Sequence, residues 1–550
     1  MIPPLPIVVL ALLSHRQFNK VEPRPLPFIA SLIFGTLSTA SIMILFNEAS
    51  LLQALRFSCL STVVYLAFLS ASVSIYRLSP WHPLARFPGP RPAAITKWWM
   101  VHRILFKGGR HTYFEKLHNE YGPWVRVGPN EVSVNLPNAM RSIYKLDRGS
   151  FYTGTPAKAD SLITVMDRGI HSRRRQAWTQ AVTGDAMYTY IPSALNRVKQ
   201  LVNILRRESS TGQPVNLDNW INLFFMDLMG DMGFSGGFET MNDGEDKEGW
   251  LHTLGLGVIF VSATGQVPWL RSLLQMLPQR GPIETFHTFT ENKIKEVKAR
   301  ATPEIRRDIL GTLLDSNSGA ELTKDEAAAD ATLIVVGATD TSVQTVLTFF
   351  RYICVDIATR DRLQKELDSV FLNDAEDVDV PALMRLPYLD ACVQEALRIM
   401  APGPFGPPRS SGESGTVIEG TWIPPNTTLH MPVYAMQRDS ANFGLGDQYL
   451  PERWLDSTDE RKDKSIESQP FNRDAFVPFS AGYSSCVGKH LALQNIKILL
   501  AHIMHEFDVK PVPHFDPAKF DASYKEYGLW THDPLNLLFS CRFGVCGESS

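Results

Sequence analysis

Apolar positions follow two different rhythms along the 550-residue chain. Before residue 80 they form unbroken blocks. Pro27 to Phe46 and Phe57 to Tyr76 each have about the 20 residues that cross a bilayer as a helix, and a shorter block, Leu5 to Leu13, precedes them. His15, Arg16, Lys20 and Arg24 stand before the first long block, and Arg77, His82 and Arg86 after the second. Basic residues favour the cytoplasmic side, so the two blocks read as a membrane hairpin with the rest of the chain in the cytosol. A single anchor over Phe57 to Tyr76, with the earlier block embedded in the interface, is the alternative. The apolar material runs far past the distance at which a signal peptide is cleaved.

From residue 81 the pattern becomes punctuated and periodic. Residues 81–92 are dense in proline, which fixes φ and discourages helix, so they read as a stiff spacer. Tyr113 to Tyr121 predicts a helix, and Trp124 to Asn135 alternates around a Gly-Pro-Asn turn, which predicts a β-hairpin. A basic helix opens at His171 and runs through Arg173, Arg174 and Arg175 to Trp178. Asn216 to Arg280 is largely helical. Thr323 and Glu326 form a capping box opening a helix of about 30 residues, on the order of 45 Å long. Within it, Val336 to Ser342 places a glycine and clustered hydroxyls between apolar stretches, which predicts a buried kink. Thr416 to Tyr434 reads as further sheet. Apolar neighbours all round Glu395 and Arg398 bury that pair, which then needs a further partner; Arg453, in Pro451-Glu-Arg-Trp454, can supply it. The chain is therefore mainly α with small β-sheets: 1–80 an anchor, 81–92 a proline-rich spacer, 93–550 a globular domain.

Composition narrows the function. With 54 basic and 57 acidic residues, no charge excess points to nucleic acid. Six scattered cysteines without paired spacings suit a reduced, cytosol-facing domain rather than a disulfide framework or a zinc site. The Gly255-Leu-Gly257 segment lacks the third glycine and preceding strand of a dinucleotide site.

The chemistry concentrates near the C-terminus, in Phe479-x-x-Gly482-x-x-x-Cys486-x-Gly488 followed by an apolar helix through Phe507. A cysteine just before a helix N-terminus meets unpaired N–H groups and the positive end of the dipole, which favour a thiolate. Such a thiolate can be an axial ligand to haem iron. A lone cysteine is more often a buried structural residue, so the other motifs decide.

They agree. The cysteine loop resembles the haem-binding loop of the cytochrome P-450 family, with one departure: Ser484 stands where the family usually has arginine. Gly337-Ala-Thr-Asp340-Thr341 resembles the family's oxygen-binding groove, and Glu395-x-x-Arg398 with Arg453 its Glu-x-x-Arg and Pro-Glu-Arg elements. The proline segment resembles the hinge of its microsomal members. The resemblance implies a cytochrome P-450 fold behind N-terminal transmembrane segments, haem b (iron protoporphyrin IX) on Cys486, and a cradle made by Phe479, Gly482 and Gly488. It implies haem propionates on His171, Arg175 and Arg409, proton relay through Asp340 and Thr341, and structural roles for Glu395, Arg398 and Arg453.

It further implies a monooxygenase that inserts one oxygen atom into a lipophilic small molecule in secondary metabolism. Electrons would come from NADPH through a cytochrome P-450 reductase, with cytochrome b5 as a second candidate donor, at the endoplasmic reticulum membrane. Lys489, His490 and Lys497 are candidate reductase contacts. Leu162 to Met166, Thr332, Val336, Phe405 and Leu529 to Trp530 are candidate pocket walls, and Pro268 and Trp269 a loop near the membrane. Two competing functions are a reductase-independent haem-thiolate isomerase or dehydratase, against which Asp340 and Thr341 weigh, and a non-catalytic membrane haem-binding protein.

Overall fold

The computed structural model describes residues 4–543 apart from 20, 22, 156, 277–281, 300–307, 372–377, 463 and 529. The two long apolar blocks form helices Pro25–Asn47 and Leu51–Leu78, both long and apolar enough to cross a membrane. The second opens on a capping box between Ser50 and Gln53. The shorter block forms the helix Pro4–Phe18, which packs on Leu51–Leu78, with Tyr65 donating to Ser14 at 2.8 Å and Thr36 joined to Thr62 across the hairpin at 2.8 Å. Phe34, Leu45 and Phe46 remain largely exposed, as lipid-facing residues would be.

The proline segment is docked rather than a free spacer. Leu84 and Phe87 are buried in a core cluster with Val132, Ile418 and Leu429, and the Arg126 N–H donates to the Pro88 carbonyl at 2.7 Å. Pro88 and Pro90 fix the chain in an extended path, and Gly89 must lack a Cβ because the Arg126 carbonyl occupies that space.

The expected hairpin is present as Trp124–Gly128 and Glu131–Val134. It is extended by Thr428–His430, Arg409–Ser410 and Asp147–Arg148 into a five-stranded sheet, which carries Arg148 and Arg409 opposite each other. The expectation of one sheet region from Thr416 to Tyr434 is corrected. Thr416–Ile418 and Thr421–Ile423 form a separate hairpin, because Glu419 and Gly420 both take positive φ and make the tight turn that closes a two-stranded ribbon; Tyr434 lies in the helix Val433–Arg438.

The longest core helix, Lys324–Ile353, begins on the predicted capping box. It runs unbroken through 336–342, where a kink is expected: Thr341 donates its hydroxyl to the Gly337 carbonyl at 2.9 Å without opening the ladder. The helix is apolar enough to pass as a membrane span, but 67% of its most apolar window is buried inside the protein; it is a core helix. It packs against Leu217–Phe234, Pro387–Ile399 and Lys489–Glu506. Leu217–Phe234 is almost continuously apolar and buried, hence a central helix. Trp250–Thr264 and Pro268–Leu274 follow, bent by 112°, with Trp269 edge-on to Trp98. A three-stranded sheet pairs Asn536–Cys541 with both Val215–Asn216 and Phe507–Pro511, bringing the late chain beside the start of Leu217–Phe234. Cys541 is disulfide-bonded, whereas Cys59, Cys354, Cys392 and Cys486 are free.

Candidate functional site

The cysteine loop is shaped by two backbone requirements. Gly482 has φ +74°, and a Cβ there would stand 2.5 Å from the Tyr144 carbonyl oxygen, so only glycine fits. The Cys486 N–H donates to the Phe479 carbonyl at 2.9 Å, closing the loop just ahead of the helix Lys489–Glu506, whose cap is Gly488. Gly488 is different: its φ is ordinary and a Cβ would meet nothing within 4 Å. Space, not backbone strain, surrounds it.

Cys486 keeps accessible surface but is enclosed by protein at longer range. That burial pushes its thiol up, against the Gly488 and Lys489 N–H groups and the Arg175 guanidinium, which pull it down. The N–H groups favour the thiolate as expected, but the helix N-terminus alone does not outweigh burial. Desolvation of a charged sulfur outweighs the dipole, and a cation bound to the sulfur would reverse the balance.

Beside the loop lies a group of guanidinium side chains. Arg175 donates to the Ser485 carbonyl at 2.6 Å and hydroxyl at 3.2 Å. Arg409 is fully buried; it donates to the Ser484 hydroxyl at 2.5 Å and stands over the Tyr144 and Tyr483 rings, while its Nε has no hydrogen-bond partner. Arg148, also buried, donates to the Val165 carbonyl. Among the described residues none of these three has a carboxylate partner, although a buried charge normally requires one. The cluster suits an anion.

Its neighbours sort the rest of the basic helix, Arg168–Val182. Arg174 points to Asp330 (2.7 Å), whose carboxylate also accepts from the Leu162 N–H (2.7 Å) and the Trp178 indole, so it is structural. Arg173 reaches only the exposed Glu321. His171 is buried against Tyr483; burial, with Arg148, Arg175, Arg174 and Arg409 around it, lowers its pKa to about 4. At neutral pH it is an uncharged imidazole and adds no cation to the cluster.

On Lys324–Ile353, Gly337 is exposed and Val336, Asp340 and Thr341 are half-exposed in an otherwise buried helix. Burial raises Asp340 to about 6. The three charges expected behind the site are joined. Glu395 accepts from Arg398 at 2.8 and 2.9 Å, from Arg453 at 3.0 Å, and from the Trp454 indole and Leu450 N–H. Burial opposes its ionisation, but Arg398, Arg453 and these donors more than offset that and lower its pKa. Arg398 spends its remaining donors on the Gln437, Gly446 and Gln448 carbonyls.

Of the other expected residues, Lys497 is the one placed differently. Lys497 is buried and paired with Asp390 at 2.5 Å, so it is not a surface contact; Lys489 and His490 are exposed. Phe405 packs against Phe114 and the Arg110 guanidinium. Trp530 donates to the Ala401 carbonyl, and Leu529 lies outside the described residues. Sequence reasoning missed Arg148, which belongs to no motif and reaches the cluster only through strand pairing with Arg409. It also missed Glu452, buried and accepting from Arg362 and Tyr388 at 2.6 Å each; its place between Pro451 and Arg453 was the available signal.

The residues fit a haem. An accessible cysteine at a helix N-terminus, open space over Gly488, exposed backbone at Gly337 and three carboxylate-free arginines, one with an unpartnered buried Nε, answer to a flat, dianionic, iron-bearing group. Comparison with known proteins agrees. The family model for cytochrome P-450 matches residues 88–538. A cytochrome P-450 of Uromyces fabae is 32% identical over 487 residues, covering 86% of this chain and 88% of its own. Trichothecene C-15 hydroxylase of Fusarium sporotrichioides is 30% identical over 484 residues, covering 84% and 94%. Tryprostatin B 6-hydroxylase of Aspergillus fumigatus is 30% identical over 513 residues, covering 90% and 86%.

Proposed function

Because the chain belongs to the cytochrome P-450 family of haem oxidoreductases, we propose that it is a membrane-anchored monooxygenase of fungal secondary metabolism acting on a lipophilic small molecule. The observation that carries the reading is the pairing of Cys486, at the Lys489–Glu506 N-terminus, with the carboxylate-free cluster Arg148, Arg175 and Arg409. Haem b, bound through Cys486, supplies the oxygen-activating chemistry.

The chain's own residues do the rest. The Gly488 and Lys489 N–H groups and Arg175 stabilise negative charge on the Cys486 sulfur. Phe479, Gly482 and Gly488 hold the loop open to a flat ring. Arg148, Arg175 and Arg409 neutralise the propionates and replace the arginine that Ser484 displaces; Ser484 instead orients Arg409. His171 contributes a neutral hydrogen-bonding group. Asp340, with a pKa of about 6, holds or releases a proton at neutral pH, and the Thr341 hydroxyl beside it passes that proton on. Glu395, Arg398 and Arg453 keep the core behind the loop rigid.

The cytosol-facing placement follows from the basic flanks of the apolar helices, at the endoplasmic reticulum, with an NADPH-dependent reductase, and cytochrome b5 as a second donor, supplying electrons at the face bearing Lys489 and His490. The hydroxylase names of two relatives favour hydroxylation of the lipophilic molecule. Expression with a reductase in a host fed such precursors is expected to give products heavier by one oxygen, dependent on NADPH and dioxygen. Turnover without either would instead establish an isomerase or dehydratase, and no NADPH consumption with any lipophilic compound would leave a haem-binding protein.

A further inference from the structure

A cavity of about 330 Å³ opens between the start of the helix Arg110–Tyr121, the end of the long helix, and the helices Val433–Arg438 and Pro517–Ser523. None of its wall residues belongs to the cysteine loop or the guanidinium cluster. Its volume falls within the range of about 300–1,000 Å³ usual for small-molecule sites. Its charge is one-sided. Lys107, Arg351, Arg438 and Lys525 line it against one carboxylate, Asp521.

Arg351 is matched by Asp521, at 2.8 and 2.7 Å. Arg438 donates to Asp447 at 2.6 Å, but that carboxylate is 79% exposed and so a weak partner; Arg438 Nε has no hydrogen-bond partner. Lys107 and Lys525 are exposed and pair with no carboxylate among the described residues. They belong to one rigid corner. A Cβ on Gly108 would stand 2.9 Å from the Lys525 Cβ, and Arg110 ties the two segments together through Glu526 at 2.9 and 2.6 Å. The helix Arg110–Tyr121 opens on Gly109 with no side chain capping it, so its first N–H groups lack the acceptor that a helix start usually takes. An independent sign of a ligand is His111, on the same wall. It is 4% exposed, stands edge-on to the Tyr434 and Trp530 rings, and its Nδ1 has no hydrogen-bond partner, which is unusual for a buried polar atom. Burial, with Arg438 and Arg110 nearby, lowers its pKa to about 4, so the ring is neutral and can donate from one nitrogen.

We propose that this cavity binds a phosphate group, held by Lys107, Lys525 and the uncapped start of the helix Arg110–Tyr121, with His111 donating to it. Phosphate fits better than carboxylate. Its charge at neutral pH matches two lysines that lack partners, and its several oxygens accept from ammonium, backbone N–H and imidazole together. Two sources carry that chemistry. Leu105 and Phe106, just before Lys107, are 42% and 72% exposed, and Arg77 at the end of the membrane helix Leu51–Leu78 donates to the Ile95 carbonyl at 2.6 Å, so a lipid headgroup is one; a soluble phosphate ester is the other. Because His111 touches Trp530 and Arg110 stacks on Phe405, the bound phosphate stands one side chain from two candidate pocket walls. The site goes beyond the monooxygenase reading and does not depend on it.

The full-length protein, loaded with haem and held in phosphatidylcholine nanodiscs, tests this by calorimetry with pyrophosphate, against potassium chloride of equal ionic strength. Lys107→Gln and Lys525→Gln together, both at exposed positions, are expected to weaken pyrophosphate binding by roughly tenfold, and His111→Phe, which keeps the ring packing, to weaken it severalfold, with the haem absorbance unchanged. Acetylation of lysines, read by mass spectrometry, separates the sources. Slower labelling of Lys107 and Lys525 on adding pyrophosphate to phosphatidylcholine discs identifies a soluble phosphate; slower labelling only in discs containing phosphatidic acid identifies a lipid headgroup. Protection undiminished in His111→Phe is surface charge alone and overturns the site, as does the absence of both protection and variant-sensitive binding. Turnover is not read in either arm, so failure of the monooxygenase reading leaves the result standing.

Discussion

Arg409 offers a prediction whose sign depends on whether haem is bound. Its side chain is fully buried, donates to the Ser484 hydroxyl and the Pro408 carbonyl, and leaves its Nε unpartnered. In the haem-free chain it is a buried cation without a counter-charge. Replacing it by methionine, similar in length and free to repack, removes an unsatisfied donor costing about 1–3 kcal/mol and two hydrogen bonds contributing about 0.5–1.5 kcal/mol each. These offset, so haem-free stability should change by no more than about 1–2 kcal/mol, in either direction. In the loaded chain the same substitution deletes a charged hydrogen bond to a propionate, about 1.5–3 kcal/mol, which is a fall in haem affinity of roughly 10- to 150-fold. Thermal melts of both forms and the rate of haem transfer to an excess of a haem-scavenging protein separate the two effects. Equal destabilisation of both forms, or an unchanged transfer rate, would show that Arg409 supports the sheet and not the cofactor.

Other expected outcomes are simpler. Cys486→Ala should abolish the red-shifted Soret band of the reduced carbon monoxide complex; persistence of that band would refute the ligand assignment. Glu395→Gln leaves Arg398 and Arg453 buried without their counter-charge, a cost of about 3–5 kcal/mol, and should lower both melting temperature and haem content; a melt within error of the wild type would contradict it. Asp340 has a folded-state pKa of about 6 against an ordinary value of 3.8. Its contribution to stability is therefore present at low pH and lost as pH rises from about 4 through about 6, at most about 3 kcal/mol for a two-unit shift. Asp340→Asn should melt like the wild type at a pH of about 4 and above it beyond a pH of about 6; parallel pH profiles would refute the raised pKa.

Elements whose signals are local can be read from the residues alone. Two apolar blocks specified the membrane helices, one capping box placed the start of the long helix, and the alternation around Gly128-Pro129-Asn130 specified the first hairpin. The cysteine loop and the Glu395-Arg398 pair were legible because each motif keeps its chemistry within a few residues. Tertiary structure decided what depends on residues far apart in sequence. Arg148 joins Arg409 only because their strands pair. Protonation was decided there too. Spacing put Cys486 at a helix N-terminus and His171 among arginines, but burial made the first a poor thiolate without a bound cation and the second a neutral ring. Desolvation is a property of everything packed around a group, and no short stretch of sequence carries it.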